Sequence, residues 1–317
     1  MKKLKKITIT PYLKFTRKRW KYLSKSIPLE LIRNKDISKF KKIDDEISIN
    51  EINKIYIPIS KLINFYVNAN LSRQIVLEQF LGTNNIKIPY VIGITGGVAV
   101  GKSTTASLLK ILLSNLSKHR KVEIITTDGF LYSNQILNER KLMQKKGFPQ
   151  SYDMYSLEKF ISDIKSGVKK VTAPVYSHIT YDIIPNKKRI IIQPDILILE
   201  GLNILQNGID YQNSNNHFFI SDFIDFSIYV DAPKNLLKKW YINRFLKFCR
   251  SALSNPHAYF YHYSQLNQKK IIKIAQKIWN KINKINLEEN IIPTKKRANL
   301  IITKGYNHSI TQIQLRK

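Results

Sequence analysis

The chain has 317 residues, of which 43% are hydrophobic, enough for one α/β domain with appendages and a sizeable core. Its 53 basic and 22 acidic residues give a net charge of +31, but the lysines are scattered through an Ile- and Asn-rich chain (KKLKK, KFKK, VKK, NKK, TKK). Without an arginine-rich block, zinc-ligand spacing or an aromatic RNA-binding signature, that scatter reads as compositional bias on solvated faces and argues against a nucleic-acid partner. No run approaches the roughly 18 apolar residues of a membrane span. The basic N-terminus lacks the apolar core of a signal peptide. The lone Cys249 has no internal partner and reads as an ordinary helix thiol, so a cytoplasmic setting is expected.

In chain order, residues 1–85 read as a helical extension. YIPISKLINFYVNANLSRQIVLEQFLG has apolar residues at helical spacing and ends on Gly82, a candidate C-cap. From residue 86 the rhythm changes. KIPYVIGITG is a short β run that breaks into a glycine loop, and STTASLLKILLSNL follows as a helix. KVEIITTDGF, RIIIQPDILILEG, FIDFSIYVDAP and RANLIITKG are four more β runs. Apolar strands alternating with helices predict a mainly parallel sheet covered on both faces, within one domain over residues 1–317. Two long segments interrupt the pattern, residues 129–190 and residues 234–290. Ligands bind beyond the carboxyl ends of such strands, so these insertions are candidate substrate walls and lids.

The loop itself, Gly96-Gly97-Val98-Ala99-Val100-Gly101-Lys102-Ser103 followed by Thr104, has the Walker A spacing between a strand and a helix. Gly96 and Gly101 permit backbone angles that let successive N–H groups face one anion, and the helix N-terminus adds its dipole. Lys102 is placed to reach the β- and γ-phosphates of ATP, and the Ser103 hydroxyl to ligate Mg²⁺. Asp128 ends the second β run, where a carboxylate can take the proton of a hydroxyl attacking the γ-phosphate. Glu200 ends the third, as a candidate Mg²⁺-side acid. No guanine-reading NKxD motif follows, and the long insertions suit a small-molecule kinase better than a switch. Arg244, in WYINRFLKF, is a candidate for offsetting charge on the transferred phosphoryl group. Tyr241, Phe245 and Phe248 lie at helical spacing; by itself such a stripe is more often core than pocket.

These stretches together with KKGFPQSYDM, VTAPVYSHITYDIIP and ANLIITK resemble bacterial type I pantothenate kinase over almost the whole chain. The ordered set is far more specific than the Walker A loop alone. The resemblance implies a P-loop kinase fold and ATP-dependent phosphorylation of pantothenate to 4′-phosphopantothenate, the first step toward coenzyme A. It implies a homodimer inhibited by coenzyme A. Residue by residue, it implies Asp128 as catalytic base, Tyr176, His178, Tyr241 and Asn283 as pantothenate-pocket residues, and Arg244 as a γ-phosphate contact. Phe245, Phe248, Phe260 and Tyr263 would form an aromatic wall, and His308 would lie near the adenine. The chain departs from the family at Ser107, where an arginine that meets nucleotide or coenzyme A phosphates is common; Lys110 is the nearby substitute. It departs again around Asp44 and Glu46, near expected adenine contacts, and at Gly97, where serine is common.

Two other readings compete. A uridine-type or sugar-phosphate kinase shares the loop and acids, but a sugar-phosphate site needs arginines for an existing phosphate, whereas the pocket candidates here are Tyr, His and Asn. A nucleotide-gated RNA-binding protein would use the +31 charge and show salt-dependent RNA affinity.

Overall fold

The computed structural model describes residues 10–23, 40, 48–82, 87–117, 120–207 and 219–317. Asp44 and Glu46 lie outside the described residues. The extension is not all helix. Its described part opens with strand β1 (Tyr12–Thr16), followed by α1 (Arg17–Tyr22). Helical turns over residues 49–56 lead into helix α2 (Ile57–Leu81), which ends as its sequence predicts. Gly82 takes φ +64°, and its N–H caps the Glu78 carbonyl.

The core then alternates. Strand β2 (Tyr90–Gly96) leads through the glycine loop into α3 (Lys102–Asn115), which runs to β3 (Val122–Thr126). The first insertion holds α4 (Asn134–Glu139), α5 (Met154–Lys165) and an antiparallel hairpin, β4 (Lys170–Ser177) and β5 (Asp182–Ile192). Strand β6 (Ile196–Glu200), strand β7 (Phe226–Asp231) and helix α6 (Lys234–Ala252) follow. Helix α7 (Gln268–Ile278), strand β8 (Leu300–Lys304) and strand β9 (Ile310–Arg316) complete the chain.

The main sheet has the order β1-β9-β8-β7-β2-β6-β3. Its five predicted strands, β8, β7, β2, β6 and β3, are mutually parallel. The run RIIIQPDILILEG, expected as one strand, divides: residues 189–192 belong to the hairpin, and only residues 196–200 enter the main sheet. Pro194 and Asp195 separate two halves that serve different sheets, and proline cannot donate a ladder hydrogen bond. Antiparallel β9 and β1 extend one edge of the sheet.

The central strands β2 and β6 are buried along their whole length, as expected of strands covered on both faces. One cover is α3, which buries Leu108, Leu109, Leu112 and Leu113 at helical spacing. Within the sheet, Ile94 pairs with Glu200 and Glu200 with Thr126. The end of β6 therefore sits between the glycine loop on one side and the Asp128 turn on the other.

Candidate active site

Three strand ends converge at the carboxyl edge of the sheet. After β2 the loop turns with Gly96 at φ +142° and Gly101 at φ +92°, the positive angles expected of these glycines, and even Ala99 adopts φ +62°. Lys102, the first residue of α3, is buried and donates to the Gly97 carbonyl at 3.2 Å. Its ammonium lies 3.9 Å from Glu200 Oε1. The Ser103 hydroxyl donates to the other Glu200 oxygen at 3.1 Å. Burial pulls the Lys102 pKa down and pushes that of Glu200 up, while their mutual attraction offsets both. After β3, a turn of 3₁₀ helix over Thr127–Phe130 carries Asp128, close enough to act electrostatically on both.

The hairpin and α6 supply the other wall. The β4–β5 register shifts between Pro174 and Tyr176, an irregularity of the kind that re-aims a side chain. Tyr176 meets His178 edge-on at 5.3 Å, and His178 stacks toward Phe248 at 6.5 Å. Burial lowers the His178 pKa, so the imidazole is neutral at pH 7. On α6, Tyr241, Arg244, Phe245 and Phe248 face the same space, and the Arg244 guanidinium lies 5.1 Å from the Phe248 ring. Phe260 packs against Phe245 and Phe248, each at 5.2 Å. Beyond α7 the helix widens into a π turn over Trp279–Asn283, which brings Asn283 to the Tyr241 hydroxyl.

These groups line one cleft of about 520 Å³. Into it open the loop residues Val98, Ala99, Gly101, Lys102, Ser103 and Thr104, the acids Asp128 and Glu200, Arg244 and His308. Tyr176, His178, Tyr241, Asn283, Phe245, Phe248 and Phe260 open into it as well. Gly96, Gly97 and Val100 shape the loop without lining the cleft. Tyr263 is not a lining residue either; it packs behind the wall against Phe245 at 5.4 Å. His308 stacks on Trp240 at 3.9 Å. Cys249 is a buried residue of α6 in the hydrophobic cluster behind the wall, as an ordinary helix thiol would be.

Lys304, Lys146 and Tyr181 are among the cleft residues that the sequence did not single out. Lys304 ends β8, is 4% exposed, and its ammonium would lie 2.5 Å from any side-chain carbon placed on Gly101. The strand-end rule that singled out Asp128 and Glu200 would have found it too. Lys146 donates to Asn134 Oδ1 at 2.7 Å and to the Tyr181 carbonyl at 2.5 Å, and lies 4.5 Å from the Tyr181 ring. Nothing in the sequence separates it from the other lysines. Tyr181 stacks on Tyr259 at 4.9 Å, and burial raises its pKa to about 12.

The oxygen pair of Ser103 and Glu200 suits a hard cation such as Mg²⁺. Among the described residues no cluster of three His, Cys, Asp or Glu could hold a metal. The chain thus offers two oxygen donors beside the phosphate loop, and nucleotide phosphates and water are the ligands that would complete the shell.

Known proteins match this arrangement. The Phosphoribulokinase / Uridine kinase family matches residues 91–247, from β2 into α6. Among solved structures, a kinase from Silicibacter sp. TM1040 aligns with a TM-score of 0.50 at 19% identity, over 63% of this chain and 84% of that one, a likeness of fold alone. The pantothenate kinase of Photorhabdus laumondii is 60% identical over 317 residues, the full length of both chains. That of Serratia proteamaculans is 60% identical over 97% of each chain, and that of Yersinia pestis is 57% identical over 100% of each. By similarity along its entire length and by the motifs gathered in the cleft, the chain belongs to the bacterial type I pantothenate kinase family.

Proposed function

We propose that the chain transfers the γ-phosphoryl group of ATP to the terminal hydroxyl of pantothenate, giving 4′-phosphopantothenate and ADP. The observation that carries this reading is one cleft with a phosphate loop and two acids at one end, and neutral hydrogen-bonding side chains set in aromatic walls at the other. Pantothenate is a small amide with hydroxyls, methyl groups and one carboxylate. Tyr176, His178, Tyr241 and Asn283 suit its polar groups, and Phe245, Phe248 and Phe260 suit its methyls.

The hydroxyl oxygen attacks the γ-phosphorus as its proton passes to Asp128, and the bond to the β–γ bridging oxygen breaks. Lys102 and Arg244 offset the negative charge spread over the transferred group. The loop N–H groups and the α3 N-terminus hold the phosphates, and His308 meets the adenine. Ser103 and Glu200 would hold Mg²⁺, which when bound neutralises phosphate charge. Feedback by coenzyme A, whose thiol arm fits the same aromatic wall, belongs to this reading. So does a cytoplasmic homodimer: the end of α2 presents Leu71, Ile75, Val76, Leu77, Phe80 and Leu81 to solvent, and a second copy would cover them. Among the described residues, no helix is long and apolar enough to cross a membrane.

An ADP-release assay with Mg-ATP tests the activity, with pantothenate, uridine and ribulose 5-phosphate compared at moderate salt. Turnover with pantothenate alone is the expected outcome. Turnover with another acceptor keeps the chemistry and overturns the substrate.

A further inference from the structure

The nucleotide end of the cleft is closed by the turn between β8 and β9, residues 305–309, which carries His308. The turn is held by Gly305 N–H to the Ser309 carbonyl at 2.8 Å and His308 N–H to the Gly305 carbonyl at 3.1 Å. His308 sits at φ +57°, an angle uncommon outside glycine, so its ring position depends on how the turn is anchored.

The anchor is unusual. Strand β1 pairs with β9 from Tyr12↔Arg316 to Thr16↔Gln312, then leaves the sheet as α1. The next outward-facing backbone groups on that edge belong to Ile310, which is 1% exposed and has lost its strand neighbour. Two side chains replace it. Glu51 Oε1 accepts the Ile310 N–H at 2.7 Å, and Arg17 donates to the Ile310 carbonyl at 3.3 Å. Arg17 and the second Glu51 oxygen are ion-paired to each other. The ladder to β8 is also irregular here, shifting between Thr303 and Lys304. One ion pair from the N-terminal extension therefore grips both backbone groups of the residue two places after His308. Glu51 is only 8% exposed, so its charge is held where solvent screens it little.

We propose that Arg17 and Glu51 are positioning residues for the nucleotide: together they set the β8–β9 turn and thereby the place of the His308 ring. This rests on the reading that His308 meets the adenine. It gives the extension a part in ATP binding that none of its described side chains plays by contact, since none of them lines the cleft.

The test is Mg-ATP affinity by titration calorimetry, which needs no turnover, on wild type, Glu51→Ala, Glu51→Gln, Arg17→Met, His308→Ala and the Glu51→Ala/His308→Ala double variant. Glu51→Ala should weaken ATP by about tenfold through misplacement of the ring, with KM for pantothenate unchanged. Glu51→Gln, which keeps an acceptor for Ile310 N–H, should fall between, and it serves if the alanine variant fails to fold. In the double variant, Glu51→Ala should add almost nothing to His308→Ala, because both act through one ring. Full additivity, or an ATP affinity within twofold of wild type in both Glu51 variants, would overturn the proposal. Unchanged affinity in His308→Ala would overturn it together with the placement of the adenine. Absence of pantothenate turnover with normal ATP binding would instead sink the substrate reading and leave the clamp standing.

Discussion

The roles proposed for Lys102, Glu200 and Asp128 are decided one side chain at a time. Lys102 and Glu200 are both buried, and each keeps the other's charge tolerable in a site that water barely reaches. If Lys102 meets the transferred phosphates, Lys102→Met should lower kcat by at least about 10²–10³-fold while circular dichroism stays native. If Asp128 is the base, Asp128→Asn should cut kcat by about 10²–10⁴-fold and leave ATP affinity nearly intact. Loss of ATP binding in step with kcat would make Asp128 a metal ligand instead. Lys146 gives a pH signature. Burial pulls its pKa from 10.5 to about 8, with Asp182 and Asp128 only partly restoring it. Between these pH values the unfolded chain holds more protons than the folded one, so stability from this group rises with pH across that window and is least below it. Urea midpoints at pH 7.5 and 10 should therefore separate wild type from Lys146→Met, which lacks this rise. Parallel midpoints for the two proteins would show that Lys146 is not so perturbed.

At the scale of elements, α3 would join the phosphate loop to the proposed coenzyme A feedback. Ser103, Ser107 and Lys110 fall on one face of the helix, four and then three residues apart. Ser107 does not line the cleft, and Lys110 is engaged by Glu123 at 3.5 Å, a carboxylate that also takes Arg189 at 2.5 Å. Lys110 is thus poorly placed to stand in for the arginine common at position 107. Ser107→Arg should tighten coenzyme A inhibition by about ten- to a hundredfold, the equivalent of about 1.5–3 kcal/mol for one charged hydrogen bond. Equal inhibition constants for the two proteins would remove this account. The β4–β5 hairpin is the other functional element. Its irregular register aims Tyr176 and His178 across the cleft at α6, and Lys146 ties its turn to the start of α4.

For the whole molecule, the end of α2 is the feature that the monomer leaves unexplained. From residue 75 to residue 81 the helix exposes Ile75, Val76, Leu77, Phe80 and Leu81, with Phe80 at 85%. These residues are spread around the helix rather than along one stripe, the pattern of a buried helix. If the chain is the homodimer proposed above, Ile75→Asp combined with Phe80→Asp should convert it to a monomer by light scattering, with native circular dichroism. An unchanged mass would place the interface elsewhere.

The five parallel strands, the phosphate loop, α2 with its glycine cap, and the strand-end acids were legible in the chain, because hydrophobic period, glycine spacing and strand-terminal charge are local signals. The resemblance supplied Tyr176, His178 and Asn283, which read alone are ordinary polar residues. Strands β1 and β9 were not legible, since each buries only two of its residues and so carries little apolar signal. Lys146 was hidden among many lysines, Lys304 was marked only by its place at the end of a strand, and Tyr263 was placed in the wall rather than behind it. Whether a lysine is a solvated charge or a buried cation beside a phosphate loop depends on what packs over it. The sequence by itself determined the chemistry available and the frame that carries it. Only the tertiary structure decided which cations turn inward, because that depends on what packs over each lysine, and how a salt bridge from the N-terminal extension comes to hold the β8–β9 turn, because those partners lie more than two hundred residues apart.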